Sequence, residues 1–214
     1  MLRVNGMVLK VTDLTDEHGI YLVKIARQAI EKFVIDKTKI KPPKDVPNIL
    51  WEKAGVFVTI NKLIKEHEEL RGCIGYIMPI KPLIEATIDV AIAAATEDPR
   101  FPPVSSQELD TILVEVTVLT PPQKVEVKSP DEYLDKIKIG RDGLLLKYGM
   151  FSGTLLPQVP VEYGWDVETF LDHLCLKAGL PLRCWKNPDV EIFSYQGIMW
   201  KEISPRGKIS RVKL

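Results

Sequence analysis

The sequence predicts an α+β protein of two domains, with a small β-β-α-β domain inserted into a larger one that carries both termini. Two observations lead there. Strand-like and helix-like stretches are segregated along the 214 residues with no repeating βαβ rhythm. Pro-Pro pairs at 42–43 and 121–122 break all periodicity, removing backbone donors and forcing their neighbours extended, so they bracket the segment between them like paired hinges. The expected division is therefore residues 1–43 with 122–214 as the larger domain and 44–121 as the inserted one.

Taken in order, "DEHGIYLVKIARQAIEKFV" places Leu22, Ile25, Ala26, Ala29, Ile30 and Phe33 on one stripe of a helix, with Thr15 or Asp13 as its N-cap. "GVFVTI" and "RGCIGYIM" read as strands joined by the polar turn "NKLIKEHEE". The helix "PLIEATIDVAIAAATED" begins at Pro82, where a missing N–H costs nothing, stops before Pro99, and has alanines at 91, 93, 94 and 95 for close packing. "TILVEVTVL" closes the unit as a strand. Beyond it, short strands are expected at "KIKIG", "GLLLKYG" and "GTLLPQV". A helix "DVETFLDHLCLKAG" follows, capped by Asp166 and ended by Gly179, with late strands at "VEIFSYQ" and "IMWKEI".

Composition excludes some functions. Lys+Arg 29 balance Asp+Glu 29, so no global field steers the chain toward nucleic acid or an anionic membrane. The basic end, with Arg206, Lys208, Arg211 and Lys213, reads as a solvated tail or a last strand with an exposed face. Cys73, Cys175 and Cys184 are odd in number and lack CxxC spacing, so they signal neither a disulfide framework nor a zinc site, and a reducing cytoplasm fits them best. Cys175 lies on a helical apolar stripe and reads as core, and Cys184 beside Trp185 as structural. No apolar run reaches membrane-spanning length, and the opening "MLRVNGMVLKV" is short and broken by charge for a secretory signal. Abundant Lys, Glu, Ile and Val beside few Asn and Gln suit a heat-adapted protein.

The chemistry-bearing stretch is "LRGCIGYI", residues 70–77. Alternation on a strand puts Arg71, Cys73, Gly75 and Ile77 on one face and Gly72, Ile74 and Tyr76 on the other. A guanidinium beside a thiol favours thiolate, so Cys73 is a candidate nucleophile or thiolate ligand, and Gly75 would leave room beside it. The competing reading makes Cys73 a small buried hydrophobe and Arg71 one half of an ion pair. Gly72 faces the other way, toward the alanine-rich helix. In "EDPRFPPV", prolines hold Asp98, Arg100 and Phe101 in a loop with little freedom, suited to binding or to a rigid crossover. Glu115 and Thr117 share one face of "LVEVTVL", where a carboxylate amid apolar residues needs a partner, with Arg71 or Arg100 the natural choices. Gln158 and Trp165 surround Pro157 and Pro160, and Asp142 in "GRDGLLL" reads as a hairpin turn.

The blocks "LRGCIGYI", "AAATEDPRFPPV", "EVTVL", "GLLLKYG", "LLPQV" and "GW…FL…C.KAGL" resemble, in order and approximate spacing, the AMMECR family, named after the AMME syndrome candidate protein. The resemblance spans the first helix to about Trp185. It implies a two-domain α+β fold with the larger domain carrying both termini, and a functional link to Memo-like and radical-SAM proteins. It leaves the cofactor unknown. It marks Leu70 to Gly75, Asp98 to Pro103 and Leu156 to Val159 as candidates, and many members carry His where Asp142 stands here. The site expected from the residues is a small-molecule site between the domains, in which Cys73 is the thiolate, Glu115 orients or exchanges protons, and Arg71, Gly72, Gly75, Asp98, Arg100, Phe101 and Gln158 bind the ligand. The alternative is a non-catalytic adaptor whose "LRGCIG" surface meets a partner protein. A nucleic-acid role comes third.

Overall fold

The computed structural model describes Leu9, residues 13–65 and residues 67–212; the opening "MLRVNGMVLKV", save Leu9, and Lys213 lie outside the described residues. Contacts gather residues 13–121 and 198–212 into one compact unit and 122–197 into another.

The first unit is a five-stranded sheet in the order β2-β1-β3-β8-β9. Its strands are β1 (Gly55–Ile64), β2 (His67–Tyr76), β3 (Ile112–Leu119), β8 (Gly197–Glu202) and β9 (Ile209–Val212), and its helices are α1 (Asp16–Asp36) and α2 (Leu83–Thr96). Thr15 caps α1, its hydroxyl accepting from His18 N while the His18 ring accepts from Thr15 N. Val56, Val58 and Ile60 of β1 and Val114, Val116 and Val118 of β3 are fully buried in the core with Leu22, Ala26 and Ile30 of α1 and Ile84, Ile88 and Ala91 of α2. The expected partition of 1–43 with 122–214 therefore differs from the grouping found. The apolar stripe of α1 is buried with β3 and α2, and Gly19 brings α1 so close to β8 that an added Cβ would stand 2.0 Å from the Trp200 ring. Proline at 121–122 does mark a boundary, whereas the pair at 42–43 leads only into a 3-10 turn at Asn48–Trp51 within the same unit.

A buried ion pair joins these elements. Arg27 donates through Nε to Glu202 and through its Nη atoms to the carbonyls of Leu109 (3.1 Å) and Ile112 (2.7 Å), while Glu202 also accepts from Val114 N at 3.0 Å. Every polar atom taken from water is thereby repaired, the condition for burying such charges. The C-terminal basic stretch is a strand, β9, and Arg206 just before it pairs with Glu31 and Asp110.

The second unit is a four-stranded sheet in the order β4-β7-β5-β6: β4 (Gln123–Lys124), β5 (Gly143–Tyr148), β6 (Phe151–Leu155) and β7 (Glu191–Tyr195). Its helices are α3 (Tyr133–Lys136), α4 (Gln158–Glu162) and α5 (Val167–Lys177). Asp166 caps α5 by accepting from Thr169 N at 2.8 Å. Phe170, Leu171 and Leu174 pack on Leu144, Leu146, Ile192 and Trp185. The late strands β7 and β8 belong to different sheets, parted only at Gln196.

Three local expectations are corrected here. "KIKIG" is no strand: it is a turn closed by Asp142 N onto Lys138 O, with Gly140 at φ +77°. Asp142 is thus not in a hairpin; its carboxylate accepts from Lys138 N at 2.9 Å and pairs with Arg141, holding the entry to β5. Cys175 and Cys184 form a disulfide that ties the end of α5 to the turn carrying Trp185. The sequence hid this because the loop "LKAGLPLR" between them folds back through Gly179, an arrangement that spacing alone does not reveal.

Candidate functional site

The site is built on β1, which pairs with β2 on one side and β3 on the other. Thr59 stands opposite Cys73 in one register and opposite Glu115 in the other. Cross-strand partners share a face, so Cys73, Thr59 and Glu115 form one row across three strands, on the face turned away from α1 and α2. Phe57, facing Gly75 and Thr117, forms the next row. Thr59 and Glu115 are each 8% exposed, Thr117 is wholly buried, and Cys73 is half-buried.

β2 is an edge strand, and the loop after α2 seals that edge at Cys73. Cys73 N donates to Asp98 Oδ2 at 2.8 Å. Asp98 is buried and also accepts from Arg100 N (3.1 Å), Nε (3.0 Å) and Nη2 (2.7 Å). These hydrogen bonds, the Arg100 side chain first, hold its carboxyl far below the usual carboxylate range. An exposed row of unpaired strand groups invites pairing with other chains, and Asp98 blocks that at its midpoint.

A β-bulge corrects the expected faces. Ile60 pairs with Gly72 but Asn61 with Leu70, so Arg71 is the extra residue and Leu70 turns to the Cys73 face. The buried Arg71 guanidinium donates to Glu108 at 2.9 and 3.2 Å. Glu108 also accepts from Ser105 N and Oγ at 3.0 Å each, and with Arg71 as the main cause its pKa falls to about 2. Phe101 has the Arg100 and Arg71 guanidiniums 5.5 and 5.9 Å from its ring centre. The guanidinium hydrogen bonds thus go to Asp98 and Glu108, and Glu115, expected to take one of them, is engaged as well.

The expected vacancy at Gly75 is filled: a Cβ there would meet the Phe57 ring at 2.3 Å. Gly72 lies, as the alternation predicts, against α2, where a Cβ would stand 2.1 Å from Ala94 O. The thiolate expectation is also corrected. Burial pushes the Cys73 thiol up, with Glu115 and Asp98 adding to it, against the opposing pull of the Thr59 hydrogen bond (3.3 Å) and of Arg100. The Arg71 guanidinium, at the bulge, is taken up by Glu108. Thr117 Oγ1 and Gln158 Oε1 are buried without a hydrogen-bond partner, the second on α4 of the other unit. Sequence reasoning missed Glu108, Thr59 and the orphaned Thr117; only the S-x-x-E spacing of Ser105 and Glu108, a capping-box pattern, pointed toward one of them.

The AMMECR1 family model matches residues 23–200. "Protein TK0174" of Thermococcus kodakarensis is 53% identical over 202 residues, covering 94% of this chain and 98% of the relative. "Protein MJ0810" of Methanocaldococcus jannaschii is 51% identical over 201 residues, covering 94% and 98%. The crystal structure of protein PH0010 from Pyrococcus horikoshii superposes with a TM-score of 0.90 at 51% identity, covering 94% of this chain and 99% of that one. These relatives come from thermophilic archaea, and disulfides are common in the intracellular proteins of hyperthermophilic archaea. No helix among the described residues is long and apolar enough to cross a membrane.

Proposed function

The chain belongs to the AMMECR1 family, and on that footing we propose that it binds a small molecule at the sheet face carrying Thr59, Cys73 and Glu115. The observation that supports this most is the single row those three polar side chains make on a face whose neighbours are Phe57, Leu113 and Leu119. A convergent polar group in apolar surroundings is the usual make-up of a ligand site. Cys73 serves there as a neutral thiol that donates or accepts a hydrogen bond, since its raised pKa leaves little thiolate at neutral pH. Asp98 and Arg100 fix its backbone, and Arg71, Glu108 and Phe101 brace the loop.

Alkylation of Cys73 by iodoacetamide across pH tests the thiol's role, because Cys175 and Cys184 are already joined. An apparent pKa above the ordinary thiol value is expected. A value near neutrality would restore a nucleophilic thiolate and an enzymatic reading. Thermal stabilisation by compounds from a metabolite panel, lost in Thr59→Val, tests the binding role; a panel without effect counts against it.

A second reading, an adaptor that meets a partner protein, is favoured by Leu70, Met78 and Ile80, which stand exposed along β2 and just beyond it. The Memo-like and radical-SAM proteins brought in by the family resemblance are the first partners to test by co-purification, with Met78→Asp expected to abolish capture.

A further inference from the structure

We infer that β6 is an interface between two copies of this chain, which pair their β6 edges antiparallel about a two-fold axis at Gly153. The two four-stranded sheets then join into one of eight strands. The inference concerns the second unit by itself and does not rest on the binding role proposed above.

A bare sheet edge invites another strand, and proteins blunt their edges with charge, proline, bulges or brevity. Three of the four edges among the described residues are blunted. β2 has its bulge and Asp98, β4 is two residues long behind Pro122, and β9 is four residues long with Arg211 in it. β6, "FSGTL", has no charge, no proline and no bulge, although it ends its sheet. Met150 at the hairpin tip is fully exposed, and Phe151 is 48% exposed.

Which groups β6 turns outward follows from the ladder. Val125 N donates to Ile192 O, so Ile192 and Ser194 bond toward β4, and Glu191, Phe193 and Tyr195 toward β5. Their partners are Lys147, Leu145 and Gly143, which leaves Leu144, Leu146 and Tyr148 to bond Leu155, Gly153 and Phe151. Ser152 and Thr154 therefore point their N–H and C=O groups away from the sheet. Nothing among the described residues accepts from either N–H.

The partner that fits this edge is the edge itself. With the axis at Gly153, Ser152 meets Thr154 of the other copy on both sides of it, and the outward N–H and C=O groups of both strands are paired. Gly153 lies under the end of α5, where a Cβ would stand 2.6 Å from Ala178 N, so Phe151 and Leu155 share that face. The same register sets Phe151 against Leu155 of the other copy there, and Ser152 against Thr154 on the opposite face, apolar on apolar and polar on polar. The two Gly153 residues form the closer pair of the ladder, about 4.5 Å between Cα atoms, with no side chain to crowd it. No charge on the strand meets its like. An interface that uses one edge twice closes at two copies.

Sedimentation equilibrium of the full chain from about 1 to about 500 µM reads the association directly. Ser152→Pro removes the outward N–H at an edge position, where proline is tolerated. Ser152→Lys keeps the N–H and brings two like charges beside the axis, at a position exposed in the single chain. Ser152→Val keeps the N–H and adds no charge. Wild type and Ser152→Val should reach twice the mass of one chain, while Ser152→Pro and Ser152→Lys associate at least about tenfold more weakly, the former having lost one hydrogen bond per copy. Circular dichroism should show all four with the same fold. A wild type that keeps the mass of one chain throughout overturns the inference and leaves the edge to a strand of another protein. Association unchanged in Ser152→Pro, or in Ser152→Lys where the proline variant has lost the native spectrum, places the contact elsewhere and also overturns it. So does a mass that grows beyond two chains, which a closed two-fold pair forbids.

Discussion

Glu108→Gln is the most informative single change in the first unit. It keeps the length and shape of the side chain and still accepts from Ser105, but it turns an amide toward the Arg71 guanidinium, where no donor is wanted. The Arg71 and Glu108 side chains are 11% and 18% exposed, so the pair is largely withdrawn from water. The magnitude follows from the carboxyl itself. It moves from 4.5 to about 2, and at about 1.36 kcal/mol per tenfold in the ionisation constant this amounts to about 3.4 kcal/mol as an upper bound. Residual solvent contact brings the expected loss to about 2 to 3 kcal/mol, the low side of what breaking a buried pair costs. A carboxyl whose folded pKa is depressed contributes stability that is complete above its unfolded value. That contribution is lost as pH falls through the folded one. The wild type should therefore lose this contribution between 4.5 and about 2, while the Gln variant has none to lose. Urea unfolding at elevated temperature, followed by circular dichroism, measures both proteins without the ionic screening of guanidinium chloride. Near neutral pH the variant's midpoint should lie lower by about 1 M, and the gap should close by about pH 2. A gap below about 0.5 kcal/mol at neutral pH, within the range of ordinary surface changes, would refute the reasoning. So would a gap that persists unchanged in acid.

Three further changes test the packing around the site. Gly72→Ala should cost about 3 kcal/mol, since its Cβ would meet the Ala94 carbonyl at 2.1 Å and a helix backbone cannot yield as a side chain does; a melting temperature equal to wild type would show that α2 and β2 are not locked together. Arg27→Met leaves Glu202 buried with only Val114 N to bond, and should cost about 3 to 5 kcal/mol. Arg27→Met with Glu202→Leu should recover most of that in a double-mutant cycle, and additivity of the two losses would argue against direct coupling. Cys184→Ser opens a bridge of sequence separation 9 and should lower stability by about 2 to 3 kcal/mol, with Cys73 labelling unchanged; dithiothreitol should shift the wild type in the same direction and leave the variant where it is.

The legible parts of the fold were those encoded by local pattern. The stripe of Leu22, Ala26 and Ile30 and the Thr15 cap gave α1, Asp166 gave the start of α5, and the β-β-α-β order from 55 to 119 was read from alternation and Pro82 alone. Gly72 against the alanine helix was legible for the same reason, because a period of two decides which neighbour a residue faces. Arg71 was not, since one bulged residue reverses the alternation on its far side and nothing in "LRGC" announces it. The Cys73 environment failed for a related reason: the sequence placed a cation next to the thiol, whereas its balance of burial and charge depends on Glu115, Asp98 and Arg100, all at least 25 residues away.

By itself the sequence determined the long helices α1, α2 and α5 and the strands β1 to β3, the α+β class, the family signature and the face shared by Glu115 and Thr117, because each depends on periodicity, capping or proline over a few residues. The tertiary structure alone decided that the last two strands complete the sheet of the first unit and that α1 packs in the core beside it, and that Cys175 bonds Cys184. It also decided that Arg71 and Arg100 are held by Glu108 and Asp98, and that the Thr117 hydroxyl of the neighbouring row is left without a partner. Pairing, burial and charge balance are properties of residues distant in the chain, set by which surfaces meet, and no local pattern carries them.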